Sequence, residues 1–328
     1  MTVTAVSSSG AAVKGRRRRL RRRLRRGLAF YGFISPWLIG TAALTLFPVG
    51  YAVYLSFTDW NGMTPFKPWV GLANYQEVLT SGDTLSTLSK TMVLAAVVVP
   101  ATIVGSLLLA LLLNRRMRGR TVLRTLIYIP AVVPPVASAL IWKVIFDRNS
   151  GAANRLFGLF GVNPVSWLTG RNVFIVLIVV LLWALGSGLI IDLAALQTVP
   201  AEQIEAARVD GAGPFGRFRH VILPAISPIL LFQTVLTVII TLQTFIPAIL
   251  LSPISSAGGL AVMTNIPPAN EVYMVDVYEQ FFNYSRYGYG SAMLTVFFVV
   301  IVAMTALIFR FLGRSVFYAV DPTNARAR

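Results

Sequence analysis

The side chains that usually carry covalent chemistry are scarce in this 328-residue sequence. It has no cysteine and a single histidine, His220, which excludes thiol catalysis, disulfides and clustered Cys/His metal sites. His220 sits beside Arg219 and reads as a surface residue. The lysines are Lys14, Lys67, Lys90 and Lys143, and none ends a GxxxxGK[ST] loop of the kind that cradles nucleotide phosphates. No metal site, catalytic residue or bound cofactor is expected in this chain. What it does carry is a ladder of hydroxyls and amides: Thr234, Thr237, Thr241 and Thr244 at helical spacing, with Gln233 and Gln243 beside them. These groups suit hydrogen bonding to a polyol or sugar, with Trp183 placed to stack on a sugar face. The same groups also serve helix-to-helix hydrogen bonding, and both readings stay open. Asp192 lies near the inner end of an apolar run; from there a lone carboxylate reaches water, and a proton-relay role is the weaker reading.

A second stretch, Gln197 to Pro224, mixes charges within an otherwise apolar sequence. Thr198 and Pro200 fit a helix start, and Glu202 falls in the first turn, where the helix dipole favours an acid. A short helix is predicted through Ile204, Glu205, Ala206, Ala207 and Arg208. Gly211 and the Gly213-Pro214 pair stop it, because Gly accepts left-handed backbone and Pro breaks the hydrogen-bond ladder. A second short helix from about Phe215 leads to Leu223-Pro224. Ala206 and Ala207 permit close backbone approach by a partner, and Glu205 offers a carboxylate for a charge-assisted hydrogen bond. The plain alternative is a capped loop with no partner.

The elements that must hold these residues are set by hydrophobic length. Of the residues, 56% are hydrophobic and 12% charged, about half the charge of a soluble domain. Six segments are long and apolar enough to cross a bilayer, which takes about 20 helical residues. They lie near Leu28 to Phe57, Leu88 to Leu113, Leu123 to Ile145, Val173 to Leu196, Ile226 to Leu251 and Gly290 to Leu312. The fold class is therefore an all-α integral membrane protein of about six spans. Its organisation is a basic tail at 1–27, a membrane domain at 28–312 containing the 197–224 loop, and a tail at 313–328. The first segment contains Pro36 and Pro48 and is expected to be kinked, tilted or partly interfacial. It is too long for a signal-peptide core and lacks a small-residue cleavage site, so it is expected to stay attached.

The formal net charge of +17 raises nucleic acid binding, but the basic residues are placed for a membrane. Ten cluster at Lys14 to Arg26, five at Arg115 to Arg124, three at Arg208 to Arg219 and four at Arg310 to Arg328, so 22 of the 29 Lys and Arg fall on one side of the alternating connections. By the positive-inside rule that side, with both termini and the 197–224 loop, is cytoplasmic, and the basic cluster at the first span meets anionic lipid. Lys67, Lys90, Lys143, Arg148, Arg155, Arg171 and Arg286 fall on the other side. There the aromatic run Tyr273 to Tyr289 reads either as a headgroup-level belt or as a docking surface.

The run Glu205-Ala206-Ala207, three residues, Gly211, nine residues, Val221-Ile222-Leu223-Pro224 resembles the cytoplasmic EAA loop of ABC-importer permeases. Its place between the fourth and fifth of six spans matches as well. Val221 replaces the usual Ile. The likeness extends over nearly the whole chain and points to the carbohydrate branch, similar to the maltose and glycerol-phosphate systems. It includes Ser56-Phe57-Thr58-Asp59, Val70-Gly71-Leu72-Ala73-Asn74-Tyr75, Arg124 to Pro135, Gly258-Gly259, Tyr278 to Phe282 and Tyr287 to Ala292. The resemblance implies a permease in a bacterial-type inner membrane that imports a sugar, oligosaccharide or polyol. It also implies a second similar permease as partner, a cytoplasmic ATPase dimer holding the ATP and Mg, and an extracytoplasmic solute-binding protein. Glu205, Ala206, Ala207, Asp210, Gly211, Leu223 and Pro224 are then the ATPase-coupling positions. A non-carbohydrate solute is the alternative within the family. An ion-coupled secondary transporter is the alternative outside it; it is expected to carry inverted repeats and membrane-embedded carboxylates, and the sequence reads as having neither.

Overall fold

The computed structural model describes residues 30–115, 117–252 and 266–315. The basic tail at 1–27, Arg116, Gly258-Gly259 and the C-terminal tail from 316 onward lie outside the described residues. Among the described residues the protein is helical, with one isolated bridge between Thr58 and Trp69. The chain divides after Leu55 into two compact units. In the first, α1 (Phe30–Leu55) is continuous through both prolines. A π turn at Ala42–Leu46 precedes Pro48, and the Phe47 N–H reaches back to the Ala42 carbonyl. Widening the helix there relieves the clash of a proline ring with the preceding turn.

The second unit contains α2 (Ala73–Thr80), α3 (Gly82–Asn114), α4 (Arg120–Val132), α5 (Pro135–Ile145) and α6 (Ala152–Gly158). It continues with α7 (Asn172–Trp183), α8 (Gly186–Gln197), α9 (Ala201–Val209), α10 (Pro214–Leu242), α11 (Ile246–Leu250), α12 (Tyr273–Phe282) and α13 (Tyr287–Leu312). Five helical stretches are long and apolar enough to span a membrane, and the α4–α5 pair makes a sixth if counted as one span. That pair corrects the expectation of a single helix from Leu123 to Ile145: its halves meet at 99°. The residue before a proline avoids the α conformation, so Val133 and then Pro134 are extended, with ψ of 127° and 140°. Pro135 then starts α5.

Other boundaries moved for similar reasons. The fifth span was expected at Ile226 to Leu251, but α10 starts at Pro214 and stops at Leu242. Pro247 has no N–H to continue the ladder, and the chain breaks over Gln243 to Phe245 before α11. The second span begins earlier than Leu88. Ser81 caps α3, its Oγ accepting from the Thr84 N–H at 3.4 Å, and the helix runs 33 residues, about 50 Å. The fourth is α7 and α8 in sequence, turning at Ala184 and Leu185.

Helix α3 is the common wall of the second unit. Ala95 and Val99 pack with Leu242, Tyr273 and Met293, and Leu94 and Val98 with Val176, Leu177 and Leu251. Near its other end Ala110 and Leu113 pack with Leu189, Leu196 and Ile226. Tyr273 belongs to this core and not to a headgroup belt: it is fully buried, stacks on Phe297 at 4.5 Å and donates its hydroxyl to the Met293 carbonyl at 2.9 Å. The Gly71 to Tyr75 stretch works as a clamp. The Asn74 amide donates to the Ser56 and Thr58 carbonyls, both at 2.9 Å, and the Tyr75 hydroxyl meets Ser56 Oγ at 2.5 Å.

Small residues let the helices approach closely, as is common where membrane helices cross. A Cβ on Gly186 would stand 2.1 Å from the Ile127 carbonyl oxygen of α4. A Cβ on Gly105 would meet only the Leu185 side chain, at 3.3 Å. Gly186→Ala is therefore expected to cost about 1–3 kcal/mol or more, and Gly105→Ala far less. Thermal unfolding of the two variants in detergent, compared with wild type, measures the difference.

Candidate functional site

Between α8 and α10 the chain forms a rigid corner. Helix α9 follows Pro200 and carries Glu202 in its first turn and Arg208 in its last. It ends in a Schellman motif. The Ala212 N–H donates to the Ala207 carbonyl at 2.9 Å and the Gly211 N–H to the Arg208 carbonyl at 3.1 Å. Gly211 takes a φ of +83°, a left-handed conformation that glycine adopts without strain. Asp210 is the capping residue, its N–H bonded to the Ala206 carbonyl at 3.0 Å. Pro214 then opens α10 directly, so the second helix of the loop is the first part of the fifth span and not a separate short helix. A π turn at Phe218–Ile222 stands just ahead of Pro224, with the Leu223 N–H bonded to the Phe218 carbonyl. Glu205, Ala206, Asp210 and Gly211 are exposed, and Val209 and Phe215 leave 87% and 72% of their surfaces uncovered beside the break. Leu223 and Pro224 are half-buried. The exposed corner thus presents two carboxylates, Glu205 and Asp210, with Ala206 and two bare apolar side chains, while Ala207 is half-buried.

The stems of this corner are tied together inside the unit. Asp192 of α8 is fully buried, which corrects the expectation that its carboxylate reaches water. The Ser106 hydroxyl of α3 donates to Asp192 Oδ2 at 2.6 Å, and the Gln233 amide of α10 donates to Ser106 Oγ at 3.1 Å. Gly188 makes room, since a Cβ there would meet Gln233 Nε2 at 2.5 Å and Ser106 Cβ at 2.9 Å. One polar junction thus links α3, α8 and α10. Ser106 was not singled out from the sequence. The available signal was a Gly105-Ser106 pair inside an apolar run, since a polar residue within a span is a default functional candidate.

The hydroxyl and amide ladder does not lie on one surface. Gln233 is buried in the junction, and Thr241 and Thr244 are buried. Thr234 is half-buried and donates its hydroxyl to the Leu230 carbonyl at 2.7 Å. Thr237 is half-buried, and Gln243 is exposed where α10 ends. Trp183 is half-buried at the end of α7, edge-on to Trp142 at 5.7 Å.

At the opposite end of α3, α12 brings carboxylates under cover. Asp276 accepts from the Thr87 hydroxyl at 3.1 Å and the Gln280 amide at 3.2 Å. Burial nonetheless raises its pKa, and burial does the same to Glu271 against the opposing pull of Lys90. Glu279 is pushed up to about 7, first by burial and then by the Glu271 and Asp276 charges. No group of three or more metal-ligating side chains occurs among the described residues.

Residues 101–318 match the family model described as binding-protein-dependent transport system inner membrane component. The chain is 34% identical to a probable ABC transporter permease protein, YesP, of Bacillus subtilis, across 86% of this chain and 90% of that one. It is 30% identical to the trehalose/maltose transport system permease protein MalF of Thermococcus litoralis, across 84% and 90%. With the sn-glycerol-3-phosphate transport system permease protein UgpA of Yersinia pestis it shares 27%, across 88% and 95%. Its fold is similar to a chain in the crystal structure of a bacterial ABC transporter involved in the import of the acidic polysaccharide alginate. The TM-score is 0.76 at 20% identity, covering 90% of this chain and 99% of that one.

Two outcomes follow from the geometry. Asp192→Asn keeps an acceptor for Ser106 and is expected to unfold close to wild type. Asp192→Leu removes the charge-assisted bond from Ser106 and leaves that hydroxyl only the Ile103 carbonyl at 3.2 Å, at a cost of about 1–3 kcal/mol; thermal unfolding in detergent separates the two. For Glu279 the folded pKa is raised above the ordinary 4.5, so its protonated form is the one that packs. That contribution is full below about pH 4.5 and is lost as pH rises through about 7. Hydrogen exchange across residues 273–282 should accelerate over that window, beyond the intrinsic pH effect, and Glu279→Gln should remove the excess.

Proposed function

The chain belongs to the family of binding-protein-dependent transport system inner membrane components, and on that footing we propose that it is the permease of an ATP-driven importer for a sugar, oligosaccharide or polyol. The names of its relatives support the solute class, with trehalose/maltose and sn-glycerol-3-phosphate permeases among them. In this reading solute arrives on an extracytoplasmic binding protein. The pathway forms between this chain and a second, homologous permease, in a heterodimer. ATP and Mg are held by a cytoplasmic ATPase dimer, and this chain binds neither. Both termini and the α9 corner face the cytoplasm, as the skew of 22 of 29 basic residues supports.

The observation that carries the proposal is the exposed, Schellman-terminated corner at Glu205 to Gly211. A partner groove that closes around it pushes on a stiff element. Glu205 supplies a charge-assisted hydrogen bond, Ala206 and Ala207 allow close approach, and Asp210 and Gly211 set the turn. Leu223 and Pro224 lead the displacement into α10. Because α8 and α10 are both tied to α3 through Asp192, Ser106 and Gln233, the corner and its two stems move as one body. ATP-driven closure then opens the permease pair outward, and hydrolysis resets it inward. Trp183, Thr234, Thr237, Thr241, Gln243 and Thr244 are proposed for the solute path, with Gln233 acting there through the junction.

The test reconstitutes the chain with its partner permease, ATPase and binding protein in proteoliposomes. A carbohydrate is expected to stimulate both ATP hydrolysis and uptake; stimulation by an amino acid alone overturns the solute class, and uptake on an ion gradient without ATP overturns the mechanism. Glu205→Lys and Gly211→Val are each expected to lower ATP-dependent uptake about ten-fold or more, the scale of one lost charge-assisted contact or of a strained left-handed residue. Both variants should insert normally, and normal uptake in either would remove the coupling role.

A further inference from the structure

The connection between α5 and α7 builds a feature separate from the α9 corner and the Ser106–Asp192–Gln233 junction. A cavity of about 440 Å³ lies among α5, α6 and α7, within the range of about 300–1,000 Å³ typical of small-molecule sites. Its lining is wholly apolar, with Trp142, Phe146, Phe157 and Trp167 forming an aromatic wall. The Trp142 indole N–H is buried and unpaired there, but a single donor is too little to hold a sugar, and water in such a space has few polar partners. Leu156 and Ile175 line it and are themselves more than half exposed, so it opens sideways as a groove. Just past α6, Leu159 and Phe160 are also bare, 81% and 78% exposed, an apolar tip suited to the headgroup boundary.

The groove is preorganised. Asn154 is buried in α6 and donates to the Arg148 and Val165 carbonyls at 3.0 and 2.9 Å. It also accepts from the Val165 N–H and the Trp167 indole at 3.1 and 2.8 Å, pinning the loop before α6 to the chain after it. Asp147 is occupied as a cap, accepting from the Asn149 and Ser150 N–H groups at 3.1 and 2.8 Å. A Cβ on Gly151 would meet the Asp147 carbonyl oxygen at 2.3 Å, so the tight turn tolerates only glycine.

Three arginines are close neighbours in the chain of the residues that line this groove, against the charge bias of the rest of the sequence. Arg148 lies between the lining residues Phe146 and Ala152, Arg155 is next to Leu156, and Arg171 stands one turn before Ile175. All three are exposed, and none forms an ion pair among the described residues. We propose that this groove is a binding site for an anionic phospholipid, with an acyl chain against the Trp142, Phe146 and Trp167 wall and the headgroup phosphate held by Arg148, Arg155 and Arg171. Where an open apolar groove meets lipid it is filled by hydrocarbon and not by water. Basic side chains beside such a groove select the anionic headgroup.

The test embeds the full chain, with its assembly partners, in nanodiscs of equal parts phosphatidylglycerol and phosphatidylcholine. Lipid retained after detergent washing is read by native mass spectrometry. Wild type is expected to keep phosphatidylglycerol over phosphatidylcholine. The Arg148→Gln/Arg155→Gln/Arg171→Gln variant, altered only at exposed positions, should retain about ten-fold less. Ala153→Trp, which fills the groove with the arginines intact, should lose it too. Equal retention of the two lipids, or retention unchanged in both variants, overturns the proposal. So does a photo-crosslinking residue at Ile175 that captures the second permease in place of phospholipid.

Discussion

The second unit depends on a requirement of the bilayer: a polar group away from water must find its partner inside the protein. The chain answers it in part with Ser106, Asp192 and Gln233, whose bonds of 2.6 and 3.1 Å tie α3, α8 and α10 while Asp192 Oδ1 and Gln233 Oε1 stay without a hydrogen-bond partner. Gly188 permits the approach, because any larger residue there would displace the Gln233 amide. Apolar packing alone leaves helices free to slide by small amounts, since leucine against leucine differs little from leucine against lipid. A hydrogen-bonded carboxylate does not slide. The two helices so tied are the ones that carry the α9 corner, so its position is set from within the helical unit.

The outline of the fold was legible because its signals are strong ones. Runs of twenty apolar residues locate spans regardless of packing, and proline and glycine at 200, 211 and 214 mark the ends of α9 as backbone rules require. Less legible were features set by contact between distant residues. Asp192 looked like an edge carboxylate because its partners stand 86 residues away on α3 and, through Ser106, on α10. Tyr273 looked like a belt residue because nothing local reveals that Phe297 and Met293 wait beneath it. The Thr and Gln ladder was periodic as read, but periodicity says which residues share a face and not whether that face meets solute or another helix.

Two prolines share a solution. Pro48 and Pro224 each stand two residues after a five-residue π turn, Ala42–Leu46 in α1 and Phe218–Ile222 in α10. In both, the residue before the proline bonds five positions back, which gives the ring room without ending the helix. At Pro134-Pro135 no such turn forms, and the helix breaks. The outcome at a proline therefore depends on whether the preceding turn widens, which hydropathy does not encode.

The broken third segment has a consequence for how the protein is made. Helices α4 and α5 have 13 and 11 residues, about 20 and 16 Å, and neither crosses a hydrocarbon core of about 30 Å by itself. As the ribosome releases them, their polar ends have no stable place in lipid. Arg124 of α4 reaches back to the Leu113 carbonyl of α3 at 3.0 Å, but the close seat of Ile127 is at Gly186, which is translated about sixty residues later. The packing of the third segment is therefore complete only once α8 has been made, later than its own place in the chain.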